Sequence, residues 1–188
     1  MQELKDRILA EGEVIGTHIL KVDTFLNHQI DPAFILRMGK ELADRFAGAG
    51  ITRVLTVEAS GIAVASAVAL SLNVPVVFAK KKQASTQSDV YTSQIYSFTR
   101  QESVNITVSK KFLPADDVVL IVDDFLAHGE ALKGLVDIVR QSGAGLAGAG
   151  IVIEKLFQRG GAALRAEGMR IETLAAIERM EPGKIVFA

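Results

Sequence analysis

The stretch Val118 to Leu135, VVLIVDDFLAHGEALKGL, constrains this chain more than any other. Val118 to Val122 are consecutive apolar, mostly β-branched residues, too few for a free-standing helix and suited to a strand buried on both faces. Asp123 and Asp124 close the run. A short loop then passes through Gly129 into apolar residues at Leu132, Leu135, Val136 and Val139, spaced as one face of a helix. Strand, polar turn and helix N-terminus in succession aim backbone N–H groups at a point where a phosphate can sit. Carboxylates beside such a cradle suit a sugar phosphate, accepting protons from ribose hydroxyls or holding a metal ion. The plainer reading is that the two acids end a core strand and cap the next helix.

The same pattern recurs along the chain. Arg53 to Val57 read as a buried strand, Glu58-Ala59-Ser60-Gly61 as a small-residue turn, and the alanine-rich run to Leu72 as a helix. That turn is compatible with a capping serine and close helix–strand packing as well as with phosphate binding. Pro75 to Ala79 form a third strand that runs into Lys80-Lys81-Lys82. After the helix that follows Gly129, the small residues Gly143 to Gly150 lead into a strand over Ala149 to Ile153, with Glu154-Lys155 at its end. Strands alternating with helices predict an α/β fold with a central parallel sheet flanked by helices. Ligands of such sheets bind outside the carboxyl ends of the strands, which is where Glu58, Lys80, Asp123 and Lys155 fall. Between two of these units, the polar Gln83 to Val90 are expected to form a flexible loop. Tyr91 to Phe98 and Val104 to Val108 then alternate as a hairpin about Arg100-Gln101-Glu102. The pair is either a lid or a surface excursion.

The ends read differently. Leu4, Ile8 and Leu9 predict one face of a short helix stopped by Gly12. Val14 to Val22 read as a strand or extended pair interrupted at Gly16, and Thr24 to Pro32 as a polar turn. Asp31-Pro32 should be N-cap and first residue of a helix over Ala33 to Phe46. A helix near Gly161 to Ala166 and two short strands, Arg170 to Ala176 and Lys184 to Phe187, close the chain. A net charge of -1 supplies no field that would recruit nucleic acid or an anionic membrane. The absence of cysteine excludes disulfides, thiolate metal sites and a cysteine nucleophile, and fits a reducing compartment. The N-terminus has no secretory apolar core, and the run Ile62 to Leu72 is too short to span a bilayer, so a cytoplasmic protein is expected. No His, Asp or Glu grouping has metal-ligand spacing, so no side-chain metal site is expected.

The chain resembles the type I phosphoribosyltransferases in VVLIVDDFLAHGEA, their motif for phosphoribosyl diphosphate (PRPP). LKVDTFLNHQIDP (Leu20 to Pro32), EASGIA (Glu58 to Ala63), GIVIEKLF (Gly150 to Phe157) and the GKIVFA end extend the resemblance over the whole chain, to the bacterial xanthine phosphoribosyltransferases. This resemblance implies a single domain over 1–188: an α/β core at about 33–153 under a hood made of about 1–32 and 154–188. It implies a homodimer, xanthine and PRPP as substrates, and purine salvage. Ala127, His128, Gly129, Glu130 and Ala131 are then implied to bind the 5-phosphate, and Leu20, Asn27 and Lys155 the purine. Asp123 and Asp124 should hold the ribose hydroxyls and stabilise the positive charge that develops as diphosphate leaves. Ala59, Ser60 and Gly61 let backbone donors approach that diphosphate, and Lys80 or Lys81 neutralises it, across the dimer interface in one arrangement. Magnesium ion is expected to arrive with PRPP.

Xanthine carries an oxygen at C2 where guanine has an amine, so a donor is needed there, and the Asn27 amide can supply it. Lys155 can donate to the 6-oxo group. On this reading Asp124→Asn slows turnover and leaves purine selectivity intact. Two departures stand out. His128 and Ala131 occupy places where phosphate loops of the family commonly carry hydroxyls, which leaves the grip to main-chain groups. Ala127 stands where 6-oxopurine enzymes often place an acidic base. Enzymes of the same fold acting on guanine or hypoxanthine, and a PRPP-sensing regulator, are the alternatives. A regulator would usually add a DNA-binding domain for which this chain has neither the length nor a basic patch.

Overall fold

The computed structural model describes residues 1–81, 89–97 and 102–188. The expected loop at residues 83–88 and the turn at Arg100-Gln101 lie outside them. Helix α1 (Gln2–Glu11) ends at Gly12 and is followed by a small antiparallel hairpin, β1 (Glu13–Ile15) and β2 (Ile19–Lys21). Leu4 and Ile8 of α1 are buried, but Leu9 is 57% exposed. At 100° per residue it sits a full step off the stripe that Leu4 and Ile8 share. The stretch expected as a polar turn contains a π-helical turn, Asp23–Asn27. Its Phe25 and Leu26 are core residues, and the Phe25 ring packs edge-on to Phe34 at 5.6 Å. Asp31 caps helix α2 (Pro32–Arg45) as expected, its carboxylate accepting from the Phe34 N–H.

Strands β3 (Arg53–Val57), β4 (Val76–Ala79), β7 (Val118–Leu126), β8 (Gly145–Lys155), β9 (Ile171–Glu181) and β10 (Lys184–Phe187) form one six-stranded sheet in the order β10-β9-β8-β7-β3-β4. All neighbouring pairs are parallel except β10 on β9. The strands between Arg53 and Ile153 are parallel, as expected, and the sheet as a whole is mixed because β10 adds one antiparallel edge. The chain returns through the tight turn before Lys184, and a connection that short can only join antiparallel strands. Helix α3 (Gly61–Leu72) follows β3, α4 (Glu130–Ser142) follows β7, and α5 (Gly160–Ala166) follows β8. The hairpin β5 (Val90–Ser97) and β6 (Glu102–Ser109) packs its Ile95 and Ile106 with α4, and Lys80 bridges to Thr107.

Two apolar layers cover the sheet. One joins α1, α2, α3 and the N-terminal turn to Val54, Leu120, Val122 and Val152. The other joins α4, the hairpin and Leu164 of α5 to Leu55, Val119, Ile121 and Ile151. The segment 154–188 gives β9 and β10 to the sheet edge, where the N-terminus meets it: the Met1 ammonium donates to the Leu174 carbonyl at 2.6 Å. Three strands outrun their sequence-read lengths. β7 continues to Leu126, β8 begins at Gly145, and β9 extends to Glu181. Small and acidic residues argue against a strand locally, but a ladder of neighbouring strands on both sides overrides that preference.

Candidate active site

The longer β7 changes the setting of the two acids. Asp123 and Asp124 are not at a turn after the strand but inside it, with Asp123 opposite Ile151 of β8, and they are only 5% and 6% exposed. Burial, then the neighbouring Asp124 carboxylate, pushes the Asp123 carboxyl well above the ordinary carboxylate range, while Lys81 pulls the other way. Asp123 Oδ1 accepts from the Asp124 N–H at 3.0 Å. Successive strand residues leave on opposite faces, so Asp124 follows Leu120 and Val122 while Asp123 follows Val119 and Ile121, yet the two carboxyl groups stay close enough to interact.

Asp124 meets the N-terminal turn. The Asn27 side-chain N–H donates to Asp124 Oδ2 at 2.5 Å across 97 residues of sequence. Asn27 is exposed at the end of a turn pinned by buried Phe25 and Leu26. It lines a hollow of about 640 Å³ together with Ala59, Ser60 and Ile62. The candidate purine residue, the candidate ribose acid and the candidate diphosphate turn are thus brought together. Ala59 and Ser60 are exposed ahead of α3, and the Ser60 hydroxyl makes no capping bond. Gly61 serves a purpose that the sequence does not advertise. A Cβ there would lie 2.2 Å from Thr56 Oγ1 and 2.8 Å from Asp123 Oδ1. Thr56 itself is fully buried and its hydroxyl has no hydrogen-bond partner.

Lys80 and Lys81 diverge. Lys81 lines a second hollow, about 250 Å³, with Phe125 and the loop through His128 and Glu130, and its main-chain N–H donates to Glu58 at 2.7 Å. Lys80 turns instead toward Phe78, its Nζ 6.0 Å from the ring centre. That is the alternation expected of extended chain.

Ala127 to Ala131 form the floor of the second hollow, with Gly129 at φ +84 as the residue before α4. No side chain caps that helix, so its first N–H groups face outward from a 13-residue helix. Gly160 locks the loop from behind. Its N–H donates to the Ala127 carbonyl at 3.1 Å, and a Cβ on it would meet Ala127 O, His128 C and Gly129 N at 2.4–2.5 Å. Helix α5 is fixed in turn by Arg165, which pairs with the buried Glu154 through two bonds of 2.6 and 2.7 Å. Burial alone would raise the Glu154 carboxyl, but Arg165 and the Thr173 hydroxyl outweigh it and hold the group below its ordinary range. Gly160 and Thr56 were not singled out in the sequence. The Gly160-Gly161 pair after Arg159 was the available signal for the first. For the second there was only a lone threonine inside an apolar strand.

Lys155 ends β8. Its Nζ donates to the His18 carbonyl at 2.7 Å and lies 5.3 Å from the centre of the Phe125 ring, and burial lowers its pKa. Phe125 also lines the hollow over the Ala127 to Ala131 loop, which Lys155 itself does not line. Phe157 is half-buried, its ring 6.1 Å from the His18 ring. Leu20, the middle residue of β2, is 6% exposed, packs into the core and borders neither hollow.

A six-stranded sheet with two acids in a central strand and a glycine-led loop before helix α4 defines an α/β fold of the kind that binds ligands at the carboxyl ends of its strands. Residues 29–161 match the model of the phosphoribosyl transferase domain, and the chain belongs to that family. Within it, the chain falls with the xanthine phosphoribosyltransferases. The protein of that name from Moorella thermoacetica is 56% identical over 98% of this chain and 94% of its own. That from Lacticaseibacillus casei is 52% identical over 100% and 98%, and that from Ectopseudomonas mendocina 50% over 100% and 99%. The fold is similar to adenine phosphoribosyltransferases from Rhodothermus marinus (TM-score 0.76, 18% identity, 94% of this chain and 99% of that one) and Saccharomyces cerevisiae (0.74, 21%, 93% and 99%).

Proposed function

We propose that the protein transfers the phosphoribosyl group of PRPP to xanthine, giving xanthosine 5'-monophosphate and diphosphate, in purine salvage. The observation that carries this reading is the Asn27–Asp124 hydrogen bond, which joins a purine-side residue to a ribose-side acid at the mouth of the Ala59–Ser60 hollow. In the reaction the C1–diphosphate bond breaks as a purine ring nitrogen bonds to C1. Asp124 accepts from a ribose hydroxyl, and the paired acids offset the charge on the ring. The main-chain N–H groups of Gly129 to Ala131 hold the 5-phosphate at the α4 terminus. Ala59 and Ser60 bind diphosphate through main-chain N–H groups, and Lys81 adds a positive charge. A partly desolvated Lys155 beside Phe125 favours a purine that carries its negative charge on an oxo group.

Members of this family generally use magnesium ion with PRPP. The residues present fit such an ion in a limited way: no group of three or more acidic, histidine or cysteine side chains gathers among the described residues, and the site offers two carboxylates. Asp123 and Asp124 would hold it, directly or through water, and the ion supplies charge neutralisation on the departing diphosphate. We place the protein in the cytoplasm as a homodimer. Among the described residues no helix is long and apolar enough to cross a membrane.

The test is nucleotide formation by purified protein with PRPP, magnesium ion and each of xanthine, guanine, hypoxanthine and adenine. Xanthine should give the highest kcat/KM. No product with any purine refutes the transfer, and equal rates with guanine and xanthine refute the specificity. Asn27→Ala should lose the preference for xanthine while PRPP KM stays within a few-fold of the parent.

A further inference from the structure

Three segments separate in sequence meet on Arg7 of α1. Its Nη1 donates to Asp31 Oδ2 at 2.6 Å and its Nε to Glu11 Oε1 at 3.0 Å. The guanidinium carbon lies 4.8 Å from the ring centres of both Phe25 and Phe34, each fully buried. A planar guanidinium can stack on aromatic faces while its edge donates to carboxylates. The side chain is 22% exposed, so solvent screens these contacts only in part.

Each contact bears on the turn Asp23–Asn27. Phe25 is its middle residue. Asp31 closes the exit from it: the Asp31 N–H donates to the Phe25 carbonyl at 3.2 Å, and Asp31 Oδ1 accepts from the Phe34 N–H at the start of α2. Glu11, held by Arg7 through Oε1, accepts from the Thr24 hydroxyl through Oε2 at 2.7 Å. The turn is thus tied on both sides to one helix. That helix is fixed in turn at the sheet edge, by the Met1 ammonium on Leu174 and by Lys5, whose Nζ donates to the Ala188 carbonyl at 2.7 Å. Asn27 ends the turn with an exposed side chain at the Ala59–Ser60 hollow, so its place there is set by where the turn lies. We infer that Arg7 is a positioning residue for purine binding, which touches no ligand and holds the backbone of the Asp23–Asn27 turn at the depth where Asn27 meets the hollow. The inference rests on the reading of Asn27 as a purine contact.

The experiment measures initial rates at varied xanthine and varied PRPP for the parent protein, Arg7→Met, Lys5→Met, Asn27→Ala and the double variant of Arg7→Met with Asn27→Ala. Methionine keeps an apolar stem against the two rings and removes the donors. Lys5→Met loosens the same helix without touching the turn. Because a misplacement of about 1 Å costs up to about a hundredfold, Arg7→Met should raise the xanthine KM about tenfold. The kcat at saturating xanthine and the PRPP KM should stay within a few-fold of the parent, a split that general loosening of the fold would not give. Lys5→Met should leave the xanthine KM at the parent value. In the Asn27→Ala background, where the xanthine KM is already raised, Arg7→Met should add little. An unchanged xanthine KM in Arg7→Met overturns the inference, as does an equal rise in the PRPP KM, an equal rise in Lys5→Met, or an undiminished effect without Asn27. A parent protein that makes no nucleotide, or an Asn27→Ala variant with the parent xanthine KM, overturns the underlying reading instead.

Discussion

Replacing Gly160 by alanine tests whether α5 braces the Ala127 to Ala131 loop, the proposed 5-phosphate site. The added Cβ would stand 2.4 Å from the Ala127 carbonyl oxygen, 2.4 Å from His128 C and 2.5 Å from Gly129 N. These are main-chain atoms, so no side chain can swing aside. Restoring ordinary contact requires either α5 or the loop to move by about 1 Å. Helix α5 resists, because Arg165 ties it to the buried Glu154 by two short bonds. The loop is the softer partner and loses the Gly160 N–H to Ala127 bond as it moves. Overpacking of this kind costs ~1–3 kcal/mol, and for a chain of 188 residues that lowers Tm by about 2–4 °C per kcal/mol. A 1 Å error in a binding loop costs up to about a hundredfold in rate. Gly160→Ala should therefore raise the PRPP KM or lower kcat/KM for PRPP by tenfold or more, with the ranking of purines unchanged. Thermal unfolding and initial rates at varied PRPP read both effects. Parent-like Tm and PRPP kinetics together would refute the bracing argument.

Two further outcomes concern the buried acids. Asp123 has a raised carboxyl pKa in the fold, so its contribution to stability is fully present below the unfolded value of about 3.9 and is lost as pH rises through the folded value. Asp123→Asn, which does not titrate, should gain on the parent by at most about 1.4 kcal/mol per pH unit across that window; parallel stability–pH curves from urea unfolding would contradict the burial argument. Arg165→Met leaves Glu154, 2% exposed, with Thr173 as its partner. Arg165 is itself 37% exposed, so the loss should be about 2 kcal/mol, below the roughly 3–5 kcal/mol of a fully buried pair. Because the Glu154 pKa is held down, its contribution is present above the unfolded value and lost as pH falls through the folded one. The Arg165→Met deficit should shrink at acid pH, and a pH-independent deficit in urea unfolding would count against the pairing.

The parts of the fold legible in the sequence were those set by local pattern. Arg53–Val57 and Lys184–Phe187 occur as read, and the apolar spacing at Leu132, Leu135, Val136 and Val139 is the buried face of α4. Strand limits failed where a neighbour, not composition, extends the ladder: Gly145 to Gly148 are poor strand formers, yet they lie beside β7 and begin β8. The polar look of Thr24 to Pro32 hid Phe25 and Leu26 because a single helical turn is too short to show a period. Within the site, acids at strand ends and a glycine before a helix are local signals. That Asn27 reaches Asp124, that Lys80 turns from Lys81, and that Gly160 sits under Ala127 depend on contacts between distant segments and leave no trace in spacing.

The depth of the acids in β7 also explains what surrounds them. A strand ending at Val122 would have left Asp123 and Asp124 in water, where they would need no partners and where solvent would screen their charge. Carried inward to Leu126, they face a desolvation cost that raises the Asp123 carboxyl and that the fold offsets with the Asp124 N–H and the Asn27 amide. The partnerless Thr56 hydroxyl beneath Gly61 shows that the compensation is incomplete. Polar groups held short of full satisfaction in an otherwise apolar sheet are a stability loss tolerated where a ligand restores the missing bonds. One of the residues that keeps the acids in place, Asn27, is therefore also one that lines the Ala59–Ser60 hollow.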